Sequence, residues 1–120
     1  MNPLYIIPTP IGNLEDITIR SLNILKNSDL ILCEDTRRTS KLLNHYSIKK
    51  KLISFHKDNE LIMIDRILDL LKTNVISLVS DAGTPAISDP GSKLIKKLYS
   101  HGMKVIPLPG PSSITTAFSA

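Results

Sequence analysis

The chain has 120 residues, 42% of them hydrophobic and 22% charged, with 4% aromatic and no tryptophan. Such a chain is long enough for one globular domain whose core must be filled by Ile and Leu. The single cysteine excludes an internal disulfide framework or a cysteine-based metal site, and no apolar run approaches the roughly 20 residues of a membrane-spanning helix. The formal net charge of +4 suits a polyanionic partner, although solvated lysines reach the same value without binding anything.

Leu4-Tyr5-Ile6-Ile7, stopped by Pro8, reads as a first strand. It begins within three residues of the N-terminus, which leaves no room for a signal peptide and leads us to expect a cytoplasmic protein. After the turn-rich TPIGN, the stretch from Asp16 to Asn27 sets Ile19, Leu22 and Leu25 at helical spacing. Leu30 to Cys33 is a second strand that should bury the thiol of Cys33. A helix from Thr36 to Tyr46 follows, capped by Asp35 or Thr36. Leu52 to Phe55 makes a third, weaker strand. The clearest amphipathic helix spans Asn59 to Lys72, with Ile64, Ile67, Leu68 and Leu71 on one face.

Val75 to Val79 is the fourth strand, and a helix from about Gly91 to Ser100 comes next, with Gly102 suited to its C-terminal cap. Met103 to Leu108 is the fifth strand, and PGPSS leads into a last helix near Ile114. Strands alternating with helices in this way predict an α/β fold: a five-stranded, mostly parallel sheet with helices on both faces. There is no internal repeat, linker or low-complexity segment. The run from Ile114 to Ala120 looks like a helix beginning to pack, and it leads us to expect the front half of a larger protein.

The usual nucleotide signatures are missing: there is neither GxxxxGK[ST] nor GxGxxG after the first strand. No HExxH or paired Cys/His set points to a metal, and no nucleophile elbow supports a hydrolytic triad. His45, His56 and His101 are far apart in the sequence and read as structural. What remains is a set of polar loops, each after a strand, where ligands of α/β domains collect. Pro8-Thr9-Pro10-Ile11-Gly12-Asn13 is stiffened by two prolines. Glu34-Asp35-Thr36-Arg37-Arg38-Thr39-Ser40 sets two carboxylates before two arginines at a helix start. That pattern fits either a plain N-terminal cap with solvated arginines or carboxylates facing a polar substrate while Arg37 or Arg38 grips a phosphate. SDAGTPAISDPG, from Ser80 to Gly91, is the densest in turn-forming and polar residues, and Pro109-Gly110-Pro111-Ser112-Ser113 is the fourth.

Taken together, PTPIGNLEDIT, EDTRRTSKLL, SDAGTPAISDPG and PLPGPSS resemble the tetrapyrrole methylase superfamily, and within it the branch that methylates ribose 2′-oxygens of 16S rRNA. The resemblance runs from Leu4 to Ala120 and implies an N-terminal α/β domain, residues 1–120, of a two-domain methyltransferase whose second domain is absent here. It implies S-adenosylmethionine as cofactor, the small ribosomal subunit as partner, and a homodimer when full length. By motif it assigns cofactor contacts to Pro8, Thr9, Asp81, Ala82, Gly83, Thr84, Ser112 and Ser113. A carboxylate such as Asp81 suits a cationic sulfonium and ammonium, while an Asx turn or helix cap is its plainer role. Glu34 and Asp35 are candidate bases for the ribose hydroxyl, and Arg37 and Arg38 candidates for rRNA phosphates. Other readings are a tetrapyrrole or diphthine-type methyltransferase of the same superfamily, or a non-catalytic nucleotide-binding α/β module.

Overall fold

A computed structural model describes residues 1–79 and 91–110 of the chain. Five strands form one parallel sheet: β1 (Leu4–Ile7), β2 (Leu30–Cys33), β3 (Lys51–Ser54), β4 (Ile76–Val79) and β5 (Val105–Pro107). Their order across the sheet is β3-β2-β4-β1-β5. The helices between them are α1 (Ile19–Asn27), α2 (Thr36–His45), α3 (Glu60–Leu70) and α4 (Ser92–Ser100). The expected architecture is therefore present, with every strand pair parallel.

The central strands are mostly apolar because both of their faces are covered, and Ser77 of β4, which is buried, shares a hydrogen bond with Ser28 at 2.6 Å. All four residues of β2 and of β4 are buried. Alternation along each strand then splits the core in two. Leu30 and Leu32 of β2, with Ile76 and Leu78 of β4, pack on Ile64 and Ile67 of α3 and Leu94 and Leu98 of α4. Ile31 and Cys33, with Ile7 and Val79, pack on Leu25 of α1 and Leu42 and Leu43 of α2. The thiol of Cys33 is buried, as its apolar run predicts.

The ends of α2, α3, β4 and β5 fall one or two residues inside the expected spans, and two further boundaries differ from the sequence reading. The first helix does not start at Asp16: residues Leu14–Asp16 form a 3₁₀ turn, and α1 begins at Ile19 with Thr18 as its cap. The Thr18 hydroxyl oxygen accepts the Ser21 amide at 3.0 Å, which fixes the start there. Ile19, expected on the core face, is 78% exposed, while Ser21 takes the buried position beside Leu25. The third strand is Lys51–Ser54 rather than Leu52–Phe55; the Phe55 amide still donates to the Cys33 carbonyl at 2.7 Å, and its side chain is fully buried in the α3–α4 core. Gly102 lies just past α4 with φ +67, the left-handed conformation expected of a C-terminal glycine. The predicted last helix near Ile114 lies outside the described residues.

Candidate functional site at the carboxyl edge of the sheet

The strand order fixes where this fold can hold a ligand. From β1 the chain steps outward through β2 to β3, and it then returns through β4 to β5. Right-handed crossovers therefore send the first two helices to one face and the last two to the other, in agreement with the two core clusters. β1 and β4 are neighbours, with Ile7 opposite Val79, yet one leads to α1 and the other to α4. That pair is the topological switch point, where a crevice opens beyond the strand ends. PTPIGN follows one strand of the pair and SDAGTP the other.

Pro8 and Thr9 lie at this switch point. Thr9 is a polar residue only 3% exposed at the strand end. The fourth loop meets the first here. The Leu108 amide donates to the Ile6 carbonyl at 3.0 Å, and Gly110 then packs so closely on Pro8 that a Cβ added to it would stand 2.8 Å from the Pro8 Cβ. Only glycine admits that approach. Two loops expected at one edge are thus in direct contact.

The second loop starts from β2. Asp35 caps α2: its Oδ1 accepts the Arg37 amide at 2.9 Å, and the Arg37 side chain stands 3.5 Å from the same oxygen. The backbone hydrogen bond from Arg37 is the main cause that holds the Asp35 carboxyl below the usual aspartate range. A depressed carboxyl stabilises the fold above its unfolded value, about 3.9, and loses that effect as pH falls through the lower folded value. In urea titrations, wild type is expected to exceed Asp35→Asn in stability at neutral pH, with the gap closing below about pH 3.9. A gap independent of pH contradicts this. Glu34 is half-buried beside the cap, and Arg37 and Arg38 are exposed on the first turn of α2. The structure therefore supports the cap for Asp35.

A cleft of about 320 Å³ separates the first loop from α2, with Thr9, Ile11 and Leu14 on one wall and Arg38, Lys41 and Leu42 on the other. The loop wall is braced. The Tyr46 hydroxyl donates to the Leu14 carbonyl, and Asn13 Oδ1 accepts the Glu15 amide at 2.9 Å. Asp81, Ala82, Gly83, Thr84, Ser112 and Ser113 lie outside the described residues. Among the described residues no cluster of three metal-ligating side chains occurs, and no helix is long and apolar enough to cross a membrane.

One residue that matters here escaped the sequence reading. Glu60, the first residue of α3, is 1% exposed. Its Oε2 accepts the amides of Gly91, Lys93 and Leu94, each at 3.1 Å. It thus caps α4 from another helix, where the N-cap Gly91, at φ 115, has no side chain to do so. A glutamate at a helix start ordinarily serves its own helix dipole, and nothing in the sequence marks a partner about thirty residues away.

Residues 3–120 match the profile of the family described as Tetrapyrrole (Corrin/Porphyrin) Methylases. The chain is 54% identical over 118 residues to a Thermotoga maritima protein named "Ribosomal RNA small subunit methyltransferase I", covering 98% of this chain and 53% of that protein. A Halalkalibacterium halodurans protein of the same name is 51% identical over 118 residues, with 98% and 41% covered. The chain thus spans about half the length of these relatives. A crystal structure of uroporphyrin III C-methyl transferase from Thermus thermophilus superposes with a TM-score of 0.73 at 18% identity, covering 98% of this chain and 52% of that one. At that identity the likeness concerns the fold alone. With the profile matched over nearly its whole length, the chain belongs to the tetrapyrrole methylase family.

Proposed function

We propose that this chain is the N-terminal half of a two-domain, S-adenosylmethionine-dependent methyltransferase that methylates the ribose 2′-hydroxyl of a cytidine in 16S rRNA. The observation that carries the reading is the switch point between β1 and β4, the two strands that PTPIGN and SDAGTPAISDPG follow in the sequence. The name shared by relatives about half identical in sequence supports ribosomal RNA as the substrate. In this reading the full-length protein acts in the cytoplasm as a homodimer on the small ribosomal subunit.

The described edge fits such a cofactor in its chemistry. Pro8 and Thr9 follow β1 at the switch point, and Gly110 of the fourth loop packs closely on Pro8. Pro8 and Thr9 would hold it together with Asp81, Ala82, Gly83, Thr84, Ser112 and Ser113. When bound, it supplies an electrophilic methyl group on a sulfonium sulfur. The protein's share is chiefly to hold the ribose oxygen in line with that methyl group. Glu34 takes the hydroxyl proton as the oxygen attacks, while Asp35 keeps the start of α2 in place and Arg37 and Arg38 hold phosphates of the RNA.

Calorimetric titration of S-adenosylhomocysteine into the two-domain protein tests the cofactor half of this reading. Binding is expected, much weaker in residues 1–120 alone, and weaker again in Gly110→Ala, whose new methyl group must push the fourth loop away from Pro8. Absence of binding to the two-domain protein overturns the methyltransferase reading in favour of a module with another ligand.

A further inference from the structure

We infer that the cleft between the first loop and α2 seats one nucleotide of single-stranded RNA, and that the strand continues along the exposed face of α2. The inference rests on the methyltransferase reading and goes beyond it by assigning the nucleotide's place and the residues that hold it.

Size and chemistry agree. At about 320 Å³ the cleft falls at the lower end of ligand sites, which run from ~300 to ~1,000 Å³. Its walls differ in kind. Pro10, Ile11 and Leu14 present apolar surface, with Ile11 36% exposed at the rim, while Arg38 and Lys41 face them from α2. A nucleotide has the same division between a base with flat apolar faces and a phosphate that seeks cations.

The path out of the cleft is equally specific. Lys41 also lines a second groove with Thr36, Arg37, Ser40 and Asn44. Those residues recur at helical spacing along one face of α2. No aspartate or glutamate lines either groove among the described residues. Asp35 pairs with Arg37 at the start of this face, and beyond that pair the lining of cations, hydroxyls and an amide matches a sugar-phosphate backbone. The walls are also set before any ligand arrives. Tyr46 ties Leu14 to the end of α2, so little ordering is lost on binding.

The test uses the two-domain protein with small ribosomal subunits as the probe. Lys41→Ala is expected to raise KM for subunits by about fivefold with kcat little changed, and to lower the slope of log affinity against log salt by about one. Ile11→Ser is expected to raise KM by about threefold or more with the salt slope unchanged, because it removes apolar rather than ionic contact. Lys96→Ala, on α4 across the sheet, leaves both values at wild type. All three side chains are exposed, and matching urea midpoints will verify that the variants fold. Unaltered KM and salt slope in both cleft variants of an enzyme that still methylates subunits overturn the nucleotide site and leave the methyltransferase reading standing. A Lys41→Ala that lowers kcat alone also overturns it. Absence of methylation by wild type overturns both.

Discussion

Replacing Glu60 by alanine is expected to lower stability by about 3 kcal/mol or more, among the largest effects of any single change in the chain. The cost comes from the groups left behind. The amides of Gly91, Lys93 and Leu94 all donate to Glu60 Oε2, and Gly91 and Leu94 are buried. An unmade hydrogen bond to a buried donor costs about 1–3 kcal/mol, and bonds to a charged acceptor are worth roughly twice those to a neutral one. Glu60→Gln keeps an acceptor oxygen and loses the charge, so its stability should fall between wild type and Glu60→Ala. Urea denaturation gives the order directly, provided the slopes of the transitions agree. Equal midpoints for the alanine and glutamine variants contradict the capping role. The effect should reach function as well, because the anchored amide belongs to Gly91, the last residue of SDAGTPAISDPG. Even Glu60→Gln should weaken S-adenosylhomocysteine binding at temperatures where the protein remains folded.

The second large effect concerns chemistry. Glu34→Gln is expected to slow single-turnover methyl transfer by about 100-fold, the lower end of what a general base contributes. Asp35→Asn is expected to slow it far less. Asp35 is already committed to the Arg37 amide, which holds its carboxyl below the ordinary range and makes it a weaker base than an ordinary aspartate. Glu34 adjoins the last residue of β2, at the carboxyl edge to which the switch point also belongs. Single-turnover rates at saturating subunits separate this from a binding defect. Unchanged rates in Glu34→Gln remove it from the catalytic role, and an equal loss in both variants points to distortion of the α2 start instead.

Much of the fold was legible because its strands are buried on two sides. Runs such as Leu30-Ile31-Leu32-Cys33 admit few other readings when helical stretches separate them. The order of strands was not legible, since an unbroken apolar run says that both faces are covered and not which strand lies beside it. Ile19 shows the limit of periodicity: spacing set it on the core face, yet the Thr18 cap turned α1 so that Ser21 points inward. Positions divide along similar lines. The places of Pro8, Thr9, Glu34 and Asp35 just past strand ends were legible because proline and polar residues after apolar runs end strands. Glu60, Tyr46 and the closeness of Gly110 to Pro8 depend on partners far along the chain. Neither composition nor spacing carries such pairings. The Arg37–Arg38 pair lay between: its place at a helix start was readable, but the cleft that Arg38 lines needs the first loop folded against α2.

The central claim is that this edge of the sheet forms half of an RNA methylation site. Transfer of labelled methyl groups from S-adenosylmethionine to small ribosomal subunits tests it most directly, followed by digestion of the 16S rRNA to nucleosides. The two-domain protein is expected to place the label on the ribose 2′-oxygen of a cytidine, and residues 1–120 alone to transfer none. Label on a base, on protein or on a tetrapyrrole instead, or turnover by residues 1–120 alone, contradicts the account.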